Sequence, residues 1–164
     1  SFRHMEFCFK FRQGVKEATT DQTKGVNDMS IWRKKIALFT LLKLQLLYCL
    51  LGMSYNIVSY YLMISGSPPL SSNSPITGGV GMLAFGLCLI SAQKGFYKTY
   101  RWLMALFLIV FGYGGIVKHF IVFAQQPEAY ASYSAWLVAI GSNSFGFLLN
   151  LTAATGRFES RETA

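Results

Sequence analysis

Polar side chains recur at helical spacing inside apolar stretches of this 164-residue chain. Tyr48 and Tyr55 lie two helical turns apart, and Asn56 extends the same face. Asn143 and Asn150 repeat that spacing in a later stretch. Hydroxyl and amide groups on two such faces can hydrogen-bond to each other or to a polar ligand. We therefore predict a polar crevice where the faces meet, which serves either as a ligand site or only to join the helices.

His119 is the residue of the apolar stretches that titrates nearest neutral pH. It follows Gly112 and Gly115 at helical spacing, and small residues allow a second helix to approach closely. We therefore expect His119 to face protein and to join the crevice, as a proton relay, a ligand contact or a hydrogen-bonded structural residue. Gly112, Gly115 and the more distant Gly79 are predicted helix-packing positions.

The residue types that are missing exclude several kinds of chemistry. No Asp or Glu lies in the apolar stretches, which removes the carboxylate relay of proton-coupled pumps. The chain has 2 His and 3 Cys, with no CxxC or HExxH motif, so it lacks paired haem ligands and the common zinc motifs. We expect no catalytic residue, no cofactor, no cofactor-binding residue and no metal site.

Composition indicates a membrane protein. Hydrophobic residues make up 52% of the chain and charged residues 13%, about half the charged share of a soluble domain. Four apolar stretches are long enough to cross a bilayer, which takes about 20 helical residues. The predicted helices cover about residues 36–64, 76–93, 102–124 and 135–155 of a transmembrane domain that spans residues 29–164. Residues 1–28 are predicted to be a weakly ordered polar extension.

The basic residues predict the orientation in the membrane. All but two of the 15 Lys and Arg precede the first helix, join the second to the third, or follow the fourth. Short loops that are rich in Lys and Arg stay on the cytoplasmic side. The fold class is thus an all-α integral membrane protein, a four-transmembrane-helix antiparallel bundle with both termini cytoplasmic. We expect the bacterial inner (plasma) membrane as its location, because no targeting peptide or usable glycosylation site is apparent.

Two functional interpretations come first. The leading one is an accessory, assembly or scaffold subunit that acts by contact and has no catalytic chemistry. The alternative is a small transporter, channel or lipid-binding protein with the polar crevice between helices one, three and four. A third is a membrane enzyme that uses His119 or Lys118 at the outer surface. The expected partners are the lipid bilayer and other membrane subunits or a second copy. Nucleic acid is not expected despite a net charge of +8, because the basic residues flank apolar stretches.

Overall fold

The computed structural model describes residues 35–159, so the predicted extension of residues 1–28 lies outside the described range. Four helical segments account for most of that range. The helices are α1 (Leu38–Ile64), α2 (Pro75–Gln93), α3 (Tyr97–Gly112), α4 (Lys118–Gln125) and α5 (Tyr133–Ala154). A π-helix, Tyr113–Val117, joins α3 to α4 without a break, and a 3₁₀ turn, Pro127–Ala129, follows α4.

Four of these segments are long and apolar enough to cross a membrane. They are Leu38–Ile64, Pro75–Gln93, Tyr97–Gln125 and Tyr133–Ala154, which we call spans one to four. Their outward faces carry large apolar side chains, such as the 71% exposed Ile109 and the 61% exposed Leu148. Such exposure suits a hydrocarbon solvent. The prediction of a helical, multi-pass membrane protein is therefore confirmed.

The third span begins at Tyr97, five residues before the start that the apolar pattern predicted. Gly95 takes a positive φ of 80°, and the Phe96 amide donates to the Ser91 carbonyl, so a turn of three residues is enough to end α2. The basic segment that follows is helical. Tyr100, one of the residues of this segment, is completely buried. Hydropathy alone misses such a start, since it treats a polar helical turn as a loop.

A cluster of four aromatic rings forms the centre of the core. Phe85 of α2 lies edge-on to Tyr48 of α1 and to Phe107 and Phe111 of α3, with ring centroids 5.2 to 5.6 Å apart. Tyr48 also contacts Phe111 at 5.7 Å. Edge-to-face geometry places positive ring edges against negative ring faces, which adds to the energy of burial. We call these four residues the aromatic cluster.

Glycine allows the spans to approach closely at several contacts. Gly78 lies against Asn56 and Gly86 lies against Cys49. Along this contact the residue numbers of α2 therefore increase as those of α1 decrease. Between the third span and α5, Gly112 faces Phe147 and Gly115 faces Asn143, again in opposite order. Each pair puts a larger side chain where a Cβ would otherwise stand.

The two ends of the helical unit differ. At one end a short parallel pairing joins β1 (Ile36–Ala37) to β2 (Phe158–Glu159), which places the chain before span one beside the chain after span four. The Arg101 Nε donates to the Ala154 carbonyl at 3.1 Å, which brings the start of α3 to the same place. We call this the basic end. At the opposite, loop end, the Ala131 amide donates to the Pro69 carbonyl at 3.0 Å and joins the two longer connections.

Two glycines of α5 provide a test of this packing. A methyl group at Gly146 would overlap the Tyr48 ring, whereas one at Gly141 would meet no heavy atom of residues 35–159 within 4 Å. We expect Gly146→Ala to lower the stability by about 1–3 kcal/mol, the usual cost of overpacking. Gly141→Ala should be neutral or slightly stabilising, because alanine favours helix. Thermal unfolding in detergent measures both, and equal midpoints for the two variants would contradict the described contact.

Candidate functional site

A cavity of about 490 Å³ lies among the four spans, in the half of the molecule nearer the loop end. It brings together five of the six residues predicted for the polar crevice. These are Tyr48, Tyr55, Asn56, His119 and Asn143. All four spans contribute to its lining, including α2, which the sequence analysis left out of the crevice.

Asn150, the sixth predicted residue, lies elsewhere. It is completely buried nearer the basic end, where its Oδ1 accepts from Gln45 Nε2 at 3.1 Å. The Tyr100 hydroxyl donates to Gln45 Oε1, so the amide of Gln45 joins spans one, three and four. Asn150 Nδ2 has no hydrogen-bond partner within the described part of the chain. Asn143 and Asn150 share a face of α5, but the two helical turns between them place them on opposite sides of the aromatic cluster.

The aromatic cluster closes the cavity toward the basic end. Tyr48 and Phe111 belong both to the cluster and to the cavity lining. The Tyr48 hydroxyl donates to Asn143 Oδ1 at 3.2 Å, so the ring is held from its polar edge as well as from its faces. The half of the molecule beyond these rings is packed by buried Leu41, Met104 and Leu89.

The loop of residues 65–74 covers the cavity at the loop end. The Tyr55 hydroxyl donates to the Leu70 carbonyl at 2.8 Å, and the Leu70 amide donates to Ser59 Oγ at 3.0 Å. Asn73 Nδ2 donates to the Gly114 carbonyl of the π-helix at 3.1 Å. These bonds hold the loop at both sides, to span one and to span three.

Both ring nitrogens of His119 are engaged at this end of the cavity. Its Nε2 lies 3.1 Å from Asn73 Nδ2, and its Nδ1 lies 2.8 Å from the Tyr130 hydroxyl. An amide nitrogen can only donate, so Nε2 accepts and the ring proton sits on Nδ1, which donates to Tyr130. The Trp136 Nε1 donates to the His119 carbonyl at 3.2 Å. With these bonds in place the imidazole is neutral and both of its nitrogens have hydrogen-bond partners.

Tyr130 completes this network from the connection between spans three and four. Burial raises the pKa of its phenol, and the protonated hydroxyl can serve as acceptor and donor together. Its oxygen lies 3.2 Å from Ser72 Oγ. The hydrogen bonds therefore run from the loop of residues 65–74 through His119 and Tyr130 back to that loop.

The π-helix borders the cavity. The Lys118 amide donates to the Tyr113 carbonyl, five residues earlier, so this turn is wider than an α-helical turn. Turns of this kind occur frequently at functional sites. Two of the predicted packing glycines lie at or beside this turn. Gly112 faces Phe147, and Gly115 is buried against Asn143. Around Gly79 there is ordinary room, with Met53 Sδ 3.8 Å from the Cβ position.

The cavity has a side opening. Its exposed lining residues lie on the facing surfaces of two spans: Ser74 and Thr77 where α2 begins, and Val110, Tyr113 and Lys118 on span three. Because the loop and the aromatic cluster bound the two ends, this opening faces sideways between spans two and three. In a bilayer that direction leads to lipid.

Several of the hydrogen-bond partners described above could not be identified from periodicity in the sequence. Asn73 and Tyr130 lie in connections, and nothing in their spacing indicates that they meet at His119. Gln45 lies on the polar face of α1, but its pairing with Tyr100 depends on where α3 begins. Periodicity identifies a helix face, and it does not identify the loop that covers the face.

The site has few chemical possibilities. Hydroxyl, amide and imidazole groups and the amine of Lys118 line it, and the described part of the chain contributes no Asp or Glu to the lining. No group of three His, Cys, Asp or Glu within residues 35–159 is arranged to hold a metal ion. The chain matches no family model, no curated protein and no solved structure. The arrangement suits hydrogen bonding to a ligand that has a polar head and an apolar body.

Tyr130 and Tyr133 form a matched pair for testing the network around His119. We expect Tyr130→Phe to destabilise the protein by about 1–3 kcal/mol, because the His119 Nδ1–H loses its buried acceptor. Tyr133→Phe should have no measurable effect, since Tyr133 is 61% exposed. Thermal unfolding in detergent measures both variants. A Tyr130→Phe midpoint equal to that of the wild type would exclude the described network.

Proposed function

We propose that the protein binds a small lipid-like amphiphile in the cavity among its four spans. The cavity of about 490 Å³ is the observation that supports this function most directly, since a subunit that acts only by contact needs no such space. Its volume lies within the range of small-molecule sites, about 300–1,000 Å³. This proposal takes up the lipid-binding form of the alternative that the sequence suggested.

The lining supports an amphiphilic ligand. Toward the aromatic cluster the cavity presents Met82, Val110 and Phe111, which suit an acyl or alkyl chain. Toward the loop end it presents Ser71, Asn73, Ser74 and Thr77, which suit a polar head. Polar groups inside a membrane are costly unless they are hydrogen-bonded, so a ligand that pairs with them offsets that cost.

Binding is better supported than conduction. A channel needs a continuous polar path, and here the aromatic cluster separates the cavity from the packed half that contains Gln45 and Asn150. Transport would require these rings to move apart. We therefore propose that the protein holds an amphiphile in the cavity. Transport would be an additional step that needs the rings to move.

We also propose the topology of an antiparallel bundle with both termini on the cytoplasmic side of a bacterial inner membrane. The opposite order of residues along the contacts between spans supports the antiparallel arrangement. The β1–β2 pairing supports a common side for the segments that flank spans one and four. Lys94, Lys98, Arg101 and Arg157 lie in or beside the segments that meet at this end, as the positive-inside rule requires of the cytoplasmic side.

A contact function as an accessory, assembly or scaffold subunit is the second candidate. Two glycines support it, because the Cβ positions of Gly81 and Gly141 have no heavy atom within 4 Å among residues 35–159, so close packing within that range does not require glycine there. Glycine on a lipid-facing surface allows another membrane helix to approach. The partner would be another membrane subunit or a second copy.

A tryptophan at the side opening tests ligand binding. We expect Thr77→Trp to reduce labelling by a photoactivatable long-chain alcohol by about tenfold, because the indole fills the space between spans two and three. Thr99→Trp, at an exposed threonine near the basic end, is the matched control and should label as the wild type does. Protein in phosphatidylcholine nanodiscs is irradiated, and cross-linked peptides are identified by mass spectrometry. Wild-type protein without cross-links at the cavity residues would contradict the proposal.

Cysteine labelling tests the topology. In a variant without native Cys, single Cys residues at positions 98 and 157 should react with an impermeant maleimide only after the cells are opened. A Cys at position 128, in the connection between spans three and four, should react in intact cells, because the loop end faces outward. Reaction of positions 98 and 157 on opposite sides would contradict the proposed bundle.

A further inference from the structure

We propose that the ligand is an anionic amphiphile, whose headgroup binds Lys118 and the N-terminus of α2 after entering sideways from the outer lipid leaflet. This inference rests on the proposed function and specifies the chemical class of the ligand and its route. It depends on three features of the cavity: the charge at the opening, the unpaired amides beside it, and the two closed ends.

Lys118 provides the charge. Among the lining residues that the structure describes, it is the only Lys or Arg, and none of them is an Asp or Glu that could neutralise it. His119 does not share this role, since both of its ring nitrogens are engaged. Lys118 lies seven residues before the end of span three, roughly 10 Å along the helix axis. From there its flexible side chain can reach the level of the lipid headgroups, where an anionic group would pair with its amine.

The start of α2 lies across the opening from Lys118. α2 begins at Pro75, and the Ser74 side chain makes no capping hydrogen bond. The first backbone bond of this helix runs from the Gly78 amide to the Ser74 carbonyl, so the amides of Ile76 and Thr77 have no partner within the helix. A helix N-terminus also carries a partial positive charge. Two positive features from different spans therefore border one opening.

The route follows from what closes the cavity. The loop of residues 65–74 is held to Ser59, Tyr55 and Gly114, and the aromatic cluster lies at the other end. An anion from water would have to displace the loop, whereas a lipid can pass between Thr77 and Tyr113. Its chain then lies against Met82, Val110 and Phe111.

Two photoactivatable probes that share one alkyl chain test this inference, one ending in a phosphate and the other in a hydroxyl. In phosphatidylcholine nanodiscs we expect the phosphate probe to label the wild-type cavity about tenfold more strongly than the alcohol. Lys118→Gln should reduce phosphate-probe labelling to the level of the alcohol, and Lys118→Arg should retain it. Lys43→Gln is the matched control, because Lys43 is an exposed lysine in span one whose amine lies over Phe39, away from the cavity.

Each outcome decides a different point. Equal labelling by the two probes, unaffected by Lys118→Gln, would overturn the anionic headgroup and leave the proposed amphiphile site intact. Loss of labelling in the presence of millimolar inorganic phosphate would overturn lipid entry, because a soluble anion would then be the ligand. No cross-link to the cavity by either probe would overturn the proposed function as well. Circular dichroism verifies that each variant is folded.

Discussion

The contact between the Tyr48 ring and Gly146 divides the four spans into a packed half and a half that contains the cavity. Because Gly146 has no side chain, α1 and α5 come close enough for the ring to lie completely inside the protein. The ring then contacts Phe85 and Phe111, and its hydroxyl reaches Asn143. On one side of Tyr48 the spans are tightly packed, and on the other they leave a cavity. The aromatic cluster around Tyr48 thus separates a tightly packed half from the half that holds the cavity.

The sequence predicted the spans and most of the crevice, because both follow from periodicity. Tyr48, Tyr55, Asn56, His119 and Asn143 share inward faces, and helical spacing is sufficient to identify such faces. Spacing does not show on which side of the aromatic cluster a residue lies. The prediction therefore groups Asn150 with the cavity residues, although it lies on the opposite side of the cluster. Spacing also cannot tell which of two adjacent glycines packs against a neighbouring helix. Gly79 is the predicted position, and Gly78 is the one that meets Asn56. The β1–β2 pairing joins residues more than a hundred positions apart, and no local pattern indicates it.

Lipid imposes one requirement on all the polar groups described above. A hydroxyl or amide that turns toward hydrocarbon loses its partners, so the spans direct these groups inward and hydrogen-bond them. Near the basic end this produces a compact network around Gln45. Near the loop end, two connections that lie outside the spans, with Asn73 and Tyr130, complete the hydrogen bonds. Single residues of these connections, such as Ser71 and Tyr130, are therefore buried although most other residues of the connections are exposed.

The π-helix has a consequence for how span three is phased. Its buried residues Tyr100, Met104, Phe107 and Phe111 follow α-helical periodicity. Continued without interruption, that periodicity would rotate His119 by about 100° from their line and bring Lys118 onto it. The wider turn absorbs one residue, so His119 stays in line with Tyr100. If this turn became α-helical with all its residues kept, Lys118 would place a charged amine where the imidazole now completes the hydrogen bonds, whereas a one-residue deletion there would leave His119 in line.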